Sequence, residues 1–219
     1  MSSWHNNSGK PLASDSWLEA HHRAKLPERR AFAEKIATHK PQRIVDLGCG
    51  IGLWLELCAQ TVDPACELVG IDVDPDCLSK AEKRLQPFSN KMQFIPLDLE
   101  GNGAELPEAD IYLAFNIFPY IPDLPALLRT LRSKIRAGGY LIVRQYDGAL
   151  LRVGPMQSRD RQIIDTSLMT ALAGSAQFKH YDLDRVFEAL TQSAFEHQDI
   201  DFETFKRLSP YDSQFKDYF

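Results

Sequence analysis

The stretch Arg43-Ile44-Val45-Asp46-Leu47-Gly48-Cys49-Gly50-Ile51-Gly52-Leu53 decides how the rest of the chain is read. A short β-branched run, Ile44 and Val45, leads to Asp46, and glycines then stand at positions 48, 50 and 52 before an apolar segment able to turn helical. The order predicted is strand, tight turn, helix. Glycine suits such a turn because the backbone must enter conformations that a Cβ forbids, and because a ligand can then touch the main chain. Asp46 falls at the carboxyl end of the strand, where open α/β sheets bind their ligands. A phosphate-binding loop would end in Gly-Lys-Ser/Thr, and the dinucleotide fingerprint G-x-G-x-x-G would place glycine where this chain has Leu53. Neither pattern is present.

Working outward, Cys66 to Ile71 reads as a second strand that stops at Asp72, about 20 residues beyond the glycine turn. A carboxylate there suits the ribose hydroxyls of a bound nucleoside, because an ionised carboxylate only accepts and can take two hydroxyl donors. Asp74 is the rival for the ribose, but its place just before Pro75 favours the cap of a helix over Asp76 to Leu85. Met92 to Pro96 is a third strand leading into Leu97-Asp98-Leu99, and Ala109 to Phe115 a fourth, central one. After it comes the loop Asn116-Ile117-Phe118-Pro119-Tyr120-Ile121-Pro122. Leu124 to Arg136 is amphipathic, Ala137-Gly138-Gly139 ends it, and Tyr140 to Val143 is a fifth strand.

Asp46-Leu47-Gly48-Cys49-Gly50-Ile51-Gly52 resembles the first motif, (D/E)-x-G-x-G-x-G, of the class I S-adenosylmethionine-dependent methyltransferases. Gly70-Ile71-Asp72-Val73-Asp74-Pro75 resembles their second motif, and the order helix, Gly-Gly, strand resembles the segment after their fourth. The likeness runs from about Arg43 to Tyr146. It implies a Rossmann-like α/β fold: a doubly wound, mostly parallel seven-stranded sheet with helices on both faces, plus N-terminal and post-strand-five lid helices. The implied cofactor is S-adenosyl-L-methionine. Asp46, Gly48, Cys49, Gly50 and Gly52 would border it, and Asp72 with Val73 would meet the ribose. Asp98 would accept from the adenine amine, with Leu99 against the ring. Asn116, Phe118 and Tyr120 would line the methionine end, where electron-rich rings favour a sulfonium by about 0.5 to 2 kcal/mol each. Packing is the competing reading for Phe118. Members that methylate a nucleobase amine commonly carry Asn/Asp-Pro-Pro-Tyr/Phe here. In this chain Ile117-Phe118-Pro119 separates Asn116 from Tyr120, so the loop is more similar to that of small-molecule methyltransferases.

Before the first strand, Ser14-Asp15-Ser16 offers N-caps for a helix carrying Trp17, Leu18, His21 and His22, broken by Pro27, and Glu28 to His39 is a second helix. In the family such helices pack near the cofactor and close over the substrate. Methyl transfer has no obligatory catalytic motif. The candidates by placement for a general base are His21, His22, Tyr146, Asp147 and Tyr181, none preferred. Trp17, Arg144 and Asp147 are the candidates for binding the acceptor, Arg144 because a guanidinium can hold a carboxylate with two parallel hydrogen bonds; a surface ion pair is the competing reading. Past Gly148 the chain predicts a lid helix over Ser158 to Ala173 bearing Arg159 and Arg161, and another helix over Tyr181 to Ala194. A sixth strand is expected over Phe195 to Phe205, and only Gln214 to Phe219 remains for a seventh.

With 219 residues, 44% hydrophobic and 25% charged, the composition is that of a globular chain and not of a disordered one. One domain, 1–219, is expected: cap helices over 1–40, a cofactor-binding core over 41–147, and a substrate lid with C-terminal strands over 148–219. A net charge of −5 argues against a nucleic-acid partner, which would call for a clustered basic face. Cys49, Cys58, Cys66 and Cys77 form no C-x-x-C pair and read as reduced thiols, and no metal is expected. Met1 to Lys10 lacks the apolar run of a leader, and no stretch is long enough to span a bilayer. The expectation is a cytoplasmic monomer or homodimer acting on a small molecule. Two alternatives stay open: an enzyme that cyclises S-adenosylmethionine itself with release of methylthioadenosine, and a non-catalytic subunit that only binds the cofactor.

Overall fold

The structure, a computed structural model, describes residues 14–100, 103–145, 156–173, 183–201, 203 and 207–218. Five parallel strands form one sheet in the order β3-β2-β1-β4-β5. They are β1 Arg43–Leu47, β2 Glu67–Asp72, β3 Met92–Pro96, β4 Ala109–Phe115 and β5 Ile135–Arg144. Between them lie α3 Leu53–Thr61, α4 Pro75–Leu85 and α5 Leu124–Lys134; α1 Asp15–Ala24 and α2 Leu26–Ala37 precede the sheet, and α6 Ser158–Ala173, α7 Leu183–Thr191 and α8 Ser213–Tyr218 come after it.

Successive strand residues point to opposite faces, and the chain fills both faces with apolar side chains. On one face Ile44, Leu68, Ile111, Leu113 and Phe115 pack against Ala33 and Ile36 of α2, Leu55 and Leu57 of α3, and Leu78 and Leu85 of α4. On the other, Val45, Leu47, Val69, Ile71, Tyr112 and Ala114 pack against Leu124, Leu127, Leu128 and Leu131 of α5 and Val186 and Ala189 of α7. Strand order reverses between β1 and β4, so the carboxyl ends of those two strands open the crevice in which such sheets bind ligands.

Local chemistry sets the element ends. Ser14 accepts from Trp17 N at the start of α1, Asp74 from Asp76 N before α4, and Asp123 from Ala126 N before α5. Helix α5 stops at Lys134, and Ile135 already pairs with Ala109. Residues 136–139 then bulge before Tyr140 rejoins opposite Ile111. In that bulge a Cβ on Gly139 would come within 2.4 Å of the Asp110 carbonyl oxygen.

Two expected strands are corrected. Among the described residues from 195 to 201 there is no strand: only Phe195 is half-buried, and Glu196 to Asp201 are exposed. The segment instead folds back on α7, where Gln198 Nε2 donates to the Leu190 carbonyl at 2.8 Å. Gln214 to Tyr218 belong to helix α8, because Asp212 Oδ1 accepts from Phe215 N at 2.7 Å and caps the turn. The described residues thus hold five strands, not seven. Among them, no helix is long and apolar enough to cross a membrane.

Candidate active site

The glycine turn is built as its residue types require. Gly48, Gly50 and Gly52 all have positive φ, +66°, +51° and +80°. They serve different ends. A Cβ on Gly48 would lie 2.5 Å from Ile117 Cγ2, and one on Gly52 2.9 Å from Ala81 Cβ, so these two let the turn seat against its neighbours. Among the described residues, a Cβ on Gly50 would meet nothing within 4 Å. Main chain is exposed there to open space at the mouth of the crevice, as a ligand would need.

Three strand tips face this opening. At the end of β2, Asp72 Oδ2 accepts from Gly50 N at 2.8 Å and Oδ1 from Asp74 N at 3.0 Å. Each carboxylate oxygen has a second lone pair, so Asp72 braces the turn and still has capacity to accept from vicinal hydroxyls. Burial raises its pKa above the usual carboxylate range. Asp46, at the end of β1, is 2% exposed, and no hydrogen bond from the described residues reaches its carboxyl. Burial first, and the Asp72 charge second, push it up to about 8. Past β3, Asp98 is exposed and accepts from Glu100 N at 2.9 Å, while Leu99 packs against the core beside it.

A family model described as a methyltransferase domain matches residues 18–208. The chain belongs to the class I S-adenosylmethionine-dependent methyltransferases. Trans-aconitate 2-methyltransferase of Rhodopseudomonas palustris is 27% identical over 135 residues, covering 62% of this chain and 50% of that protein. An uncharacterised protein of Haemophilus influenzae is 36% identical over 123 residues, covering 54% of this chain and 47% of its own. The chain thus spans about half the length of these curated relatives. Among solved structures, plantazolicin methyltransferase BpumL in complex with a monoazolic desmethylPZN analogue and S-adenosylhomocysteine aligns with a TM-score of 0.55 and 20% identity, over 92% of this chain and 80% of that one. A Nostoc punctiforme structure aligns with a TM-score of 0.61 and 16% identity, over 90% and 58%. At these identities the structural likeness establishes the fold alone.

Within the methyltransferase fold the other expected site residues fall into place unevenly. Asn116 takes a left-handed φ of +58° and donates its N–H to the Arg144 carbonyl at 2.8 Å, and Tyr120 is half-buried in the next turn of the chain. Val73 is half-buried beside Asp72. Phe118 is corrected: it is fully buried among Leu124, Leu128 and Val186, so it faces the core and not the crevice. Cys49 is also core, 8% exposed; its N–H donates to the Ile71 carbonyl at 2.9 Å, and burial pushes its thiol up.

His21 and His22 are held side by side by one arginine. Both are buried. Arg29 Nη1 donates to His22 Nδ1 at 2.8 Å, its Nη2 lies 3.1 Å from His21 Nδ1, and Lys25 Nζ lies 2.7 Å from His21 Nε2. Burial and the surrounding cations lower His21 to about 3 and His22 to about 4. Both ring nitrogens of His21 are covered, and imidazoles of such low basicity are poor proton acceptors at neutral pH. Trp17 stacks on His21 with ring centroids 4.9 Å apart. Tyr146, Asp147 and Tyr181 lie outside the described residues.

Two arginines that the sequence does not distinguish organise this cluster. Arg84 Nε donates to the Ile51 carbonyl in the glycine turn at 3.0 Å, and its other nitrogens pair with Glu56 of α3 at 3.1 Å and Glu19 of α1 at 2.7 Å. It therefore ties the first helix to the turn. Arg29, 5% exposed, lies 5.0 Å from the centre of the Trp54 ring. An arginine among polar helix residues carries no local mark of such a role; its partners come from the fold.

Proposed function

We propose that this protein transfers a methyl group from S-adenosylmethionine to a small organic acceptor. The observation that carries the reading is the Gly50 N–H held by Asp72 beneath open space, with a second buried carboxyl, Asp46, beside it. A nucleoside bearing a cation answers each element: vicinal hydroxyls for Asp72, a positive charge for Asp46, and close approach over Gly50. A curated relative supports an acceptor of small size, since trans-aconitate is named for it.

Bound S-adenosylmethionine supplies a methyl on a positive sulfur, already activated toward in-line attack. What the chain contributes is position and exclusion of water. Asp72 and the turn fix the nucleoside end. Asn116, locked to the Arg144 carbonyl, and Tyr120 border the space beyond the tip of β4. Arg84 ties α1 to the glycine turn through Glu19, and Arg207 pairs with Glu28 of α2 at 2.8 Å. With the His21 and His22 imidazoles so weakly basic, an acceptor that is already ionised fits best.

Incubating the protein with S-adenosylmethionine and a panel of small acids, phenols and amines tests the reading. S-adenosylhomocysteine is expected only when an acceptor is present. Methylthioadenosine formed without any acceptor would instead establish the cyclising enzyme, and cofactor binding without turnover the non-catalytic subunit.

A further inference from the structure

We infer that Arg84 is a positioning residue for the cofactor: it holds the Ile51 carbonyl of the glycine turn and, through Glu19, makes that hold depend on the docking of α1. The inference rests on the methyltransferase reading of the crevice. Gly48, Gly50 and Gly52 all take positive φ, conformations that glycine enters freely and that partners must therefore fix. Two of those partners come from β2 and the helix after it. Asp72, at the tip of β2, accepts from Gly50 N, and Arg84, on the last turn of α4, donates from Nε to the Ile51 carbonyl at 3.0 Å. The Arg84 hold thus falls one residue from Gly50, the point where a ligand would approach the main chain. Arg84 also reaches further: Nη1 pairs with Glu56 of α3 at 3.1 Å and Nη2 with Glu19 of α1 at 2.7 Å. A guanidinium presents its donors in a fixed planar fork, so a shift at one partner is passed to the others.

Polar contacts dominate the hold on α1. What it buries is His21, His22 and Ala24, and among the described residues neither apolar core takes in a residue of this helix. Arg29 of α2 bonds both imidazoles, Arg207 Nη2 donates to the Ala24 carbonyl at 2.7 Å, and α1 packs against α8. Through Arg29 the helix is linked to Trp54, 5.0 Å away, whose ring also carries Arg144 of β5 at 4.7 Å. Two further ties run to α4. Asp15 and Glu19 stand four residues apart on α1, and Lys80 and Arg84 four apart on α4, so each pair shares a helix face. They form a ladder of ion pairs, Lys80 to Asp15 at 2.5 Å and Arg84 to Glu19 at 2.7 Å. The rungs differ in reach. The Lys80 rung ends at α1, with half of the Lys80 side chain exposed; the Arg84 rung, 24% exposed, continues into the turn. Without the Glu19 carboxylate, Arg84 is left with Glu56 and the turn carbonyl, free to tilt toward the charge and away from Ile51.

Calorimetric titration of the full chain with S-adenosylhomocysteine, with thermal melts run alongside, tests the coupling. Arg84→Gln should weaken binding at least fivefold at a temperature where the variant is folded. Arg84→Lys, which keeps the charge but loses the fork, should recover only part of that loss. Glu19→Gln should weaken binding at least threefold, and the double variant should be no worse than Arg84→Gln alone, because the carboxylate acts through the arginine. Lys80→Gln is the control: it breaks the other rung without reaching the turn, so affinity should stay within twofold. A lowered melting temperature with unchanged affinity in Arg84→Gln would make the arginine a structural brace and overturn the inference. Unchanged affinity in Glu19→Gln, additive losses in the double variant, or a Lys80→Gln protein weakened as much as Glu19→Gln would each overturn it too. Should the unaltered protein fail to bind S-adenosylhomocysteine at all, the methyltransferase reading has failed and this inference falls with it. The Glu19 side chain is 41% exposed, so its variant decides even if Arg84→Gln does not fold.

Discussion

The backbone N–H of Gly50 donates to Asp72 Oδ2 at 2.8 Å, so the tip of β2 braces the turn that leaves β1. One carboxylate braces the turn and, in the proposed reading, also meets the ribose. Asp72→Ala should weaken S-adenosylhomocysteine more than tenfold, since losing the acceptor for a pair of buried hydroxyls costs about 1 to 3 kcal/mol. Asp72→Asn, which keeps one oxygen for Gly50, should lose less. Calorimetry checks both, and an unchanged affinity in Asp72→Ala would place the ribose elsewhere.

Gly48 and Gly50 should fail in different ways. Alanine at 48 drives a Cβ to 2.5 Å from Ile117 Cγ2, in a part of the core where Ile117 is 7% exposed, and should cost about 1 to 3 kcal/mol of stability. Valine at 50 meets open space at a φ of +51°. Its left-handed backbone costs about 1 to 2 kcal/mol, yet its side chain fills the berth, so binding should vanish from a protein that still melts cooperatively. Thermal melts and titrations on the two variants separate the roles, and a Gly50→Val protein that binds normally would refute close backbone approach.

Asp46 should make cofactor binding pH-dependent. With its pKa up at about 8, the carboxyl is protonated at neutral pH, and a cation placed beside it favours the ionised form. Binding should therefore release a proton, and affinity should rise with pH until about 8 and then level. Titration in two buffers of different ionisation enthalpy reads the released proton directly. The sign for folding is opposite: because the folded pKa stands above the unfolded value near 4, stability should decline as pH climbs from about 4 to about 8. Asp46→Asn should remove both trends.

His21 and His22 carry an acid sensitivity. Their folded pKa values, about 3 and about 4, lie below the unfolded 6.5, so the unfolded chain binds more protons between those limits. The stabilising effect of keeping both rings neutral is complete above about pH 6.5 and is lost as pH falls toward 4 and 3. His22→Gln leaves an oxygen to accept from Arg29 but cannot titrate, and denaturant melts across this range should show its acid limb flattened.

The stretch from Arg43 to Arg144 was legible because its signals are local. β-branched runs, three glycines, and aspartates at Asp72 and Asp74 fix strand, turn and cap within a few residues of themselves. The fully buried Phe118 was ambiguous for a different reason, since an aromatic in a loop reads alike whether it lines a crevice or fills a core. Arg84 was not legible at all: its partners lie far along the chain, Glu19 across 65 residues. The two missing strands failed for want of pattern. Phe195 to Asp201 has one half-buried apolar residue and a polar run, and Asp212 caps a helix where a strand was expected.

A crystal structure of the chain with S-adenosylhomocysteine bound tests the central proposition most directly. Ribose hydroxyls within hydrogen-bonding distance of Asp72, the adenine against Leu99 with its amine toward Asp98, and the sulfur over the Gly50 main chain near Asp46 are the expected result. A ligand lodged away from these strand ends, or a crevice that takes a dinucleotide in that position, would contradict it.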